Sequence, residues 1–208
     1  MQNLNKFKRL TGLLFALNLC FNTGFAQSVI KIACVGNSIT YGSGIVDREK
    51  NAYPAQLQAM LGTNYQVMNF GVSGTTLLKK GNIPYWNTPA YKKALESKPD
   101  VVFIKLGTND SKLVNRAFYA EFENDYKELI NSFQAGGASP RIVLLLPVPS
   151  FLKDSPSIYD PVIKSQIIPR VRKVAYDMGA EVIDLYSLFT DKAELLPDKI
   201  ILQLKVPQ

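Results

Sequence analysis

The sequence predicts an α/β protein in which helices cover both faces of a parallel β-sheet. From residue 29 onward, apolar segments rich in β-branched residues alternate with segments of helical periodicity. One of them, RIVLLLPV at residues 141–148, is a continuous apolar run, as expected for a strand covered on both faces. Five strands separated by helices favour a three-layer α/β/α sandwich around a five-stranded parallel sheet.

The predicted strands are short runs of β-branched, aromatic and aliphatic residues. They are VIKIACVG at 29–36, YQVMNFG at 65–71, DVVFIKLG at 100–107, RIVLLLPV at 141–148 and AEVIDLY at 180–186. In a parallel sheet of this kind, functional groups gather beyond the carboxyl ends of the strands. The segments that follow the strands are therefore the places to look for a site.

Four helices are predicted between these strands, because apolar residues recur there every three or four positions. They are AYPAQLQAML at 52–61, PAYKKALESK at 89–98, AFYAEFENDYKELINSFQ at 117–134 and VIKSQIIPRVRKVAYDMG at 162–179. Pro169 lies inside the fourth helix. Because proline cannot donate the helical hydrogen bond, it predicts a kink or a break at that point.

The amino terminus has the pattern of a signal peptide. Lys6, Lys8 and Arg9 precede an apolar run at 10–21, and small residues lead up to Ala26. We therefore expect residues 1–26 to be removed on export, leaving one domain at 27–208 in the periplasm or outside the cell. The apolar run is short for a bilayer, so no integral membrane segment is expected. A buried amino-terminal helix and a lipid anchor on Cys20 are the alternatives.

Composition narrows the classes of partner. The formal net charge is +7, and loss of residues 1–26 would remove three cations and no anion. Lys and Arg form no cluster in the remainder, so no nucleic-acid partner is predicted. Cys34 would be the remaining cysteine, and it lies in an apolar run, so no internal disulfide is expected.

Ser38 follows the first predicted strand, in the segment GNSITYGSG. A serine at a strand-to-helix turn can expose its hydroxyl beside the free N–H groups at the start of the helix. The alternative is structural, because serine is also a common N-cap residue. The G-x-S-x-G motif of another hydrolase fold is absent.

Two further strand ends carry residues that suit the stabilisation of negative charge. Gly71 and Gly74 in NFGVSGTT permit a tight turn in which a ligand can approach a bare backbone N–H. Asn109 in GTNDS has a side-chain amide that can donate to a developing oxyanion. Taken singly, the two glycines are turn residues, Asn109 is more often a loop or cap residue, and Asp110 is a candidate cap for the next helix.

Taken in order, the segments GNSIT, NFGVSG, GTND and PD resemble the blocks of the SGNH hydrolases, also called GDSL-type esterases and lipases. GNSIT stands where that family has a GDSIT-like block, with Asn37 in place of the usual aspartate. The resemblance extends from Ile30 to Asp198. It implies the flavodoxin-like fold of that family.

The resemblance also implies roles for individual residues. Ser38 would be the nucleophile, and Asp198 the acid member of an Asp-x-x-His block. The backbone N–H groups of Ser38 and Gly74, with the Asn109 side chain, would form the oxyanion hole. The implied reaction is acyl transfer from an ester through an acyl-enzyme, with no metal or cofactor.

Within the family, the sequence is most similar to exported bacterial carbohydrate O-acetylesterases of the sialate O-acetylesterase type. The expected partner is therefore a small-molecule or glycan ester. Asn37, Tyr85 and Trp86 are candidate substrate contacts, because aromatic faces suit sugar rings. Plain packing is the alternative for the aromatic pair.

The chain departs from the family at its last block. Ile201 stands where the histidine of Asp-x-x-His is expected, and the 208 residues contain no histidine. With suitable codons, a one-base shift from Ile201 onward encodes His-Pro and then Gly-Ala, as the family does. We therefore hypothesise that the chain is frameshifted or truncated after about residue 200. Such a chain would lack a final helix, would be impaired in catalysis and would expose apolar surface.

Three other functions are to be weighed against an esterase. A lysophospholipase or thioesterase of the same family would act on longer acyl chains. A catalytically dead protein that binds carbohydrate would fit the missing histidine. A flavodoxin-like or nucleotide-binding domain is disfavoured, because no G-x-G-x-x-G or P-loop follows a strand.

Overall fold

Five parallel strands form one sheet in the order β2–β1–β3–β4–β5, in a computed structural model that describes residues 28–196. The strands are β1 (Ile30–Gly36), β2 (Tyr65–Gly71), β3 (Val101–Lys105), β4 (Arg141–Leu145) and β5 (Glu181–Ile183). Every neighbouring pair is parallel. This order is that of the flavodoxin-like doubly wound sheet, so the predicted fold class is confirmed.

Helices connect the strands on both faces of the sheet. The α-helices are α1 (Ser38–Tyr41), α2 (Arg48–Asn51), α3 (Tyr53–Leu61), α4 (Pro89–Glu96), α5 (Phe122–Gln134), α6 (Asp160–Val162), α7 (Ile168–Met178) and α8 (Leu185–Phe189). Short 3₁₀ segments lie at Tyr85–Asn87, Asn109–Ser111, Leu113–Glu121, Ala135–Gly137 and Ala193–Leu195. None of the helices within residues 28–196 has the length and hydropathy that crossing a bilayer requires.

Two helices differ from the sequence prediction. The helix predicted at 117–134 is α-helical only from Phe122, and Leu113–Glu121 is a 3₁₀ segment. Side chains from that segment bind the preceding loop, since the Asn115 amide donates to the Asn109 carbonyl and the Tyr119 hydroxyl to the Asp110 carbonyl. These bonds explain why the chain winds tightly there before α5 begins.

The predicted disturbance at Pro169 takes the form of a π-helical turn. This turn, Ile163–Ile167, lies between α6 and α7, and Pro169 stands in the first turn of α7. Proline lacks the N–H that would continue the α-helical bonds, and its ring crowds the preceding turn. A wider turn directly before Pro169 therefore lets the helical path continue to Met178.

The main core lies between the sheet and helices α4, α5 and α7. Alternate strand residues point to this side because side chains in a strand alternate between the two faces. The core's fully buried members include Val35, Val102, Ile104, Leu144, Phe122, Tyr126, Leu129, Ile130, Val171 and Val174. This burial accounts for the strong amphipathic pattern of α5 and α7.

The opposite face of the sheet is covered unevenly by residues 28–196. Cys34 is fully buried there, and burial raises the pKa of its thiol to about 12. Phe103 is only partly buried, and Ile183 is 38% exposed. The described part of the chain therefore leaves apolar surface open on this face, beside α8.

Glycines at the ends of β1 and β2 allow α1 to pack directly against the sheet. Gly36 pairs with Gly71, and the Val72 N–H donates to the Gly36 carbonyl at 2.9 Å. A Cβ atom on Gly71 would lie 2.2 Å from the Tyr41 nitrogen. Because that contact is with backbone, a side chain at residue 71 would push α1 away from the strand end.

We predict that Gly71→Ala destabilises the protein by about 3 kcal/mol, because the added methyl group overpacks a backbone contact. Gly179→Ala is the matched control. Gly179 has a φ of 62° with no atom within 4 Å of its would-be Cβ, so only the left-handed conformation is penalised, at about 1 kcal/mol. Urea unfolding measures both, and equal losses would contradict the close packing of α1.

Candidate active site

The carboxyl ends of β2, β1 and β3 meet at one edge of the sheet. Gly36 is in register with Gly71 on one side and with Lys105 on the other. The three loops that leave these strands carry Ser38, Gly74 and Asn109. The topology therefore brings together the three residues that the sequence placed in the nucleophile and oxyanion positions.

Ser38 is the first residue of α1 and is partly exposed. Asn37 occupies the N-cap position, where its Oδ1 accepts from the Ile39 N–H at 3.2 Å. The capping alternative for Ser38 is therefore wrong, because Asn37 performs that role. The Ser38 N–H lies in the first turn of the helix, where it has no intrahelical acceptor. Both the hydroxyl and the N–H of Ser38 are thus available for chemistry.

Gly74 forms the turn after β2 with a φ of 81°. Residues with a side chain rarely adopt this conformation, so glycine is required at this point. A methyl group there would also meet Ile83 Cδ1 at 3.3 Å. The hydroxyls of Ser43 and Ser73 share a hydrogen bond, which ties the loop after α1 to this turn.

The Asn109 side chain lies against the Gly74 turn. Its Nδ2 donates to the Thr75 carbonyl at 3.0 Å, and the residue is 3% exposed. An amide nitrogen carries two donors. One hydrogen therefore fixes the side chain on the turn, and the second remains for a ligand oxygen.

Asp110 has a structural role that the sequence did not indicate. Its fully buried carboxylate accepts from the Leu77 N–H at 3.0 Å and from the Leu78 N–H at 2.9 Å. Burial raises the pKa of this carboxyl from its ordinary 3.8 to about 6. Asp110 therefore does not cap the following helix; it binds the segment after the Gly74 turn to the loop that carries Asn109.

The proposed substrate contacts are less accessible than expected. Asn37 and Tyr85 are both fully buried, and the Tyr85 hydroxyl donates to the Phe70 carbonyl at 2.8 Å. Trp86 is partly buried, its Nε1 donates to the Leu77 carbonyl at 2.7 Å, and Lys79 Nζ lies 4.4 Å from its ring centroid. Packing therefore accounts for Tyr85, and neither Asn37 nor Tyr85 is exposed in the described structure, so their contact with a sugar stays a prediction.

Asp198 and Ile201 lie outside the described residues, so their relation to Ser38 is not part of the structure. The described chain nevertheless ends close to α1. Leu196 is 1% exposed and packs in a small cluster with Ile39 and Val148. Since Ile39 directly follows Ser38, Leu196 packs on the short helix that begins with the candidate nucleophile.

Two residues beside the candidate site were not predicted from the sequence. Ile83 flanks Gly74 and is 44% exposed, and it is the lone aliphatic residue in the polar stretch KKGNIP. Lys105 ends β3 beside Gly36 and is 1% exposed. The sequence pattern that marks Lys105 is a charged residue inside the otherwise apolar strand VVFIKL. A lysine is almost never buried without a partner.

Comparison with known proteins identifies similar sequences. The profile of the GDSL-like Lipase/Acylhydrolase family matches residues 34–201. An acetylxylan esterase from Xylanibacter ruminicola is 44% identical over 189 residues, which cover 83% of this chain. The chain spans 39% of the length of that relative.

Solved structures with the same fold include three esterases or acylhydrolases. The lipase/acylhydrolase from Enterococcus faecalis has a TM-score of 0.65 at 24% identity, covering 84% of this chain and 87% of that one. The carbohydrate acetylesterase Est24 from Sinorhizobium meliloti has a TM-score of 0.59 at 20% identity, covering 74% and 83%. AlinE4, a SGNH-hydrolase family esterase, has a TM-score of 0.58 at 24% identity, covering 87% of each chain.

We predict that Asp110→Ala destabilises the protein by about 3 kcal/mol at pH 7, because two buried N–H groups lose their acceptor. The stability difference between wild type and variant should also depend on pH. The folded-state pKa is raised, so the folded state binds the proton more tightly than the unfolded state does. The contribution of Asp110 is therefore largest below pH 4 and falls as the pH rises to about 6.

Urea unfolding at pH values from 4 to 8 measures this difference, with the exposed Asp191→Ala variant as control. The wild-type advantage over Asp110→Ala should shrink between pH 4 and pH 6 and stay level above that. An advantage that grows with pH would show that the carboxyl has a lowered pKa instead.

Proposed function

This chain belongs to the GDSL-like Lipase/Acylhydrolase family, and we propose that it is an exported serine esterase that removes O-acetyl groups from carbohydrates. The observation that carries the proposal is the placement of the Asn109 amide on the Gly74 turn, at the sheet edge where Ser38 begins α1. That arrangement offers a hydroxyl nucleophile and hydrogen-bond donors from three adjacent loops.

In the proposed reaction, Ser38 Oγ attacks the carbonyl carbon of the ester. The carbonyl oxygen becomes an oxyanion, which accepts hydrogen bonds from the Ser38 N–H, the Gly74 N–H and the second Nδ2 hydrogen of Asn109. Collapse of this intermediate breaks the ester C–O bond, and the sugar leaves as a hydroxyl that takes up the proton released by Ser38 Oγ, with water carrying the proton between them. Water then attacks the acetyl-enzyme and releases acetate. Each oxyanion donor typically contributes about 10²–10³ in rate.

A short acyl group is supported by the crowding beside the Gly74 turn. Ile83 Cδ1 lies 3.3 Å from the position of a Gly74 Cβ, so little space remains on that side of the oxyanion position. The 44% identity to an acetylxylan esterase favours a polysaccharide or glycan as the alcohol component. A long-chain substrate of the lysophospholipase or thioesterase kind would need a groove where Ile83 lies.

The acid–base partner is the missing part of this site. The 208 residues contain no histidine, and Asp198 is proposed as the acid that would orient one at position 201. Serine hydrolases that lose one triad member keep roughly 10³–10⁴ over the uncatalysed rate. We therefore propose that this chain hydrolyses esters slowly, and that its sequence from Ile201 onward comes from a shifted reading frame. The sequence of the encoding DNA tests the frame directly.

We predict that Ile201→His raises the rate of p-nitrophenyl acetate hydrolysis at least a hundredfold, because the new imidazole can accept the Ser38 proton. The wild-type rate should exceed that of Ser38→Ala by a small factor. The double variant Ile201→His/Ser38→Ala is the matched control and should lose the gain. A gain that survives in that control would come from free imidazole chemistry and would contradict the proposed nucleophile.

A second assay separates the acyl classes. We predict a preference for p-nitrophenyl acetate over the butyrate and octanoate esters, and a shift toward butyrate in Ile83→Ala, because truncation opens space beside Gly74. Leu113→Ala is the control, since Leu113 is similarly exposed at 55%. Octanoate as the preferred substrate of the wild-type chain would favour the long-chain alternative. Binding of acetylated xylan with no Ser38-dependent turnover in any variant would favour a binding protein.

A further inference from the structure

Asn115 is a fully buried amide in the 3₁₀ segment Leu113–Glu121. Its Nδ2 donates to the Asn109 carbonyl at 2.8 Å and to Asn82 Oδ1 at 3.0 Å. Its Oδ1 accepts from the Asn82 N–H at 2.9 Å. Both donor hydrogens and the acceptor are therefore used. The side chain joins the loop after β3 to the segment that begins at Asn82.

The segment at Asn82 runs beside the chain that leaves the glycine turn after β2. The Thr76 N–H donates to the Ile83 carbonyl at 2.8 Å, and the Tyr85 N–H donates to the Thr76 carbonyl at 3.0 Å. Thr76 and Pro84 form a parallel bridge. Ile83 is 44% exposed, so its position depends on these backbone bonds more than on burial.

The bonds of Asn115 close a circuit around the candidate site. The Asn109 side chain donates to the Thr75 carbonyl at 3.0 Å, and the next residue of that turn binds the Ile83 carbonyl. Asn82, beside Ile83, returns through Asn115 to the Asn109 carbonyl. A buried and fully satisfied network of this kind is rigid. It therefore couples the position of Ile83 to that of the Asn109 amide.

The segment that carries Asn115 is itself anchored to the loop after β3. Arg116 Nε donates to the Ser111 carbonyl at 2.8 Å, and the Tyr119 hydroxyl donates to the Asp110 carbonyl at 2.9 Å. Asn115 thus has a fixed support, from which its amide can hold the more exposed segment at Asn82.

We propose that Asn115 is a positioning residue that fixes the oxyanion donor Asn109 and the flanking residue Ile83 relative to each other, and so restricts the site to short acyl groups. The inference rests on the proposed esterase function and adds the residue that selects acyl length. Without this amide, the Asn109 carbonyl loses its buried donor and residues 82–85 lose their tie to the loop after β3. The oxyanion donor is then misplaced, and the space beside Gly74 widens.

The acyl preference tests this role. In Asn115→Ala, the Ser38-dependent hydrolysis of p-nitrophenyl acetate should fall about tenfold or more, because a displaced donor stabilises the oxyanion poorly. The butyrate-to-acetate ratio should rise, both in the chain as it stands and in Ile201→His. Asn87→Ala, which truncates an exposed asparagine of the same loop, is the matched control and should change neither quantity. An unchanged ratio in Asn115→Ala would overturn the proposal.

A double variant tests whether Asn115 selects acyl length through Ile83. Ile83→Ala removes the flanking side chain, so adding Asn115→Ala should change the butyrate-to-acetate ratio little further. The fall in the acetate rate should persist, because it arises at Asn109. A ratio in the double variant equal to the product of the two single effects would show that Asn115 acts independently of Ile83.

Hydrogen exchange tests the positioning without relying on activity. In NMR of the full 208-residue chain, the Nδ2 hydrogens of Asn109 should exchange about tenfold faster or more in Asn115→Ala. The Trp86 indole N–H, which donates to the Leu77 carbonyl at 2.7 Å, is the internal control and should keep its rate. Equal acceleration of both would indicate general loosening, and unchanged exchange at Asn109 would show that Asn115 does not hold it. Either result would overturn the proposal.

The two measurements separate this inference from the proposed function. No Ser38-dependent hydrolysis in any variant would overturn both the esterase proposal and the role of Asn115 in selecting acyl length. Faster exchange at Asn109 alone would still support the hold of Asn115 on that side chain. Ser38-dependent hydrolysis with the same acyl preference in wild type and Asn115→Ala would leave the esterase standing and overturn the role of Asn115.

Discussion

The candidate site depends on one constraint, which is that three parallel strands end at the same level of the sheet. Gly36 pairs with both Gly71 and Lys105, so the loops after β1, β2 and β3 leave from one line. Side chains from the third loop then hold the second: Asn109 binds the Thr75 carbonyl, and Asp110 binds the Leu77 and Leu78 N–H groups. The geometry around Ser38 is thus fixed by strand register first and by two buried side chains second.

The sequence was sufficient to predict the sheet and the residues at its edge. The strands are short apolar runs with helical periodicity between them, and tertiary packing did not overrule those local patterns. The sequence could not predict that the Asp110 carboxylate accepts hydrogen bonds from Leu77 and Leu78, because a contact between residues more than thirty positions apart leaves no local pattern. Burial of Tyr85 and Asn37 was unpredictable for the same reason, since exposure depends on what packs above a residue.

The sheet face beside α8 is the less covered of the two faces among residues 28–196. Within this described part of the chain, Lys105 Nζ is buried there with no hydrogen-bond partner, and Ile183 is 38% exposed. By contrast, the loops that carry Gly74 and Asn109 are held by buried hydrogen bonds between residues of the described chain.

A structure of the covalent phosphonate adduct would test most directly whether Ser38, Gly74 and Asn109 form one acyl-transfer site. A long incubation with an alkyl fluorophosphonate followed by crystallography would locate the label. We expect phosphorus on Ser38 Oγ, with one oxygen about 3 Å from the Ser38 N–H, the Gly74 N–H and Asn109 Nδ2. A label on Ser38 whose oxygens point to solvent, away from Gly74 and Asn109, would contradict it.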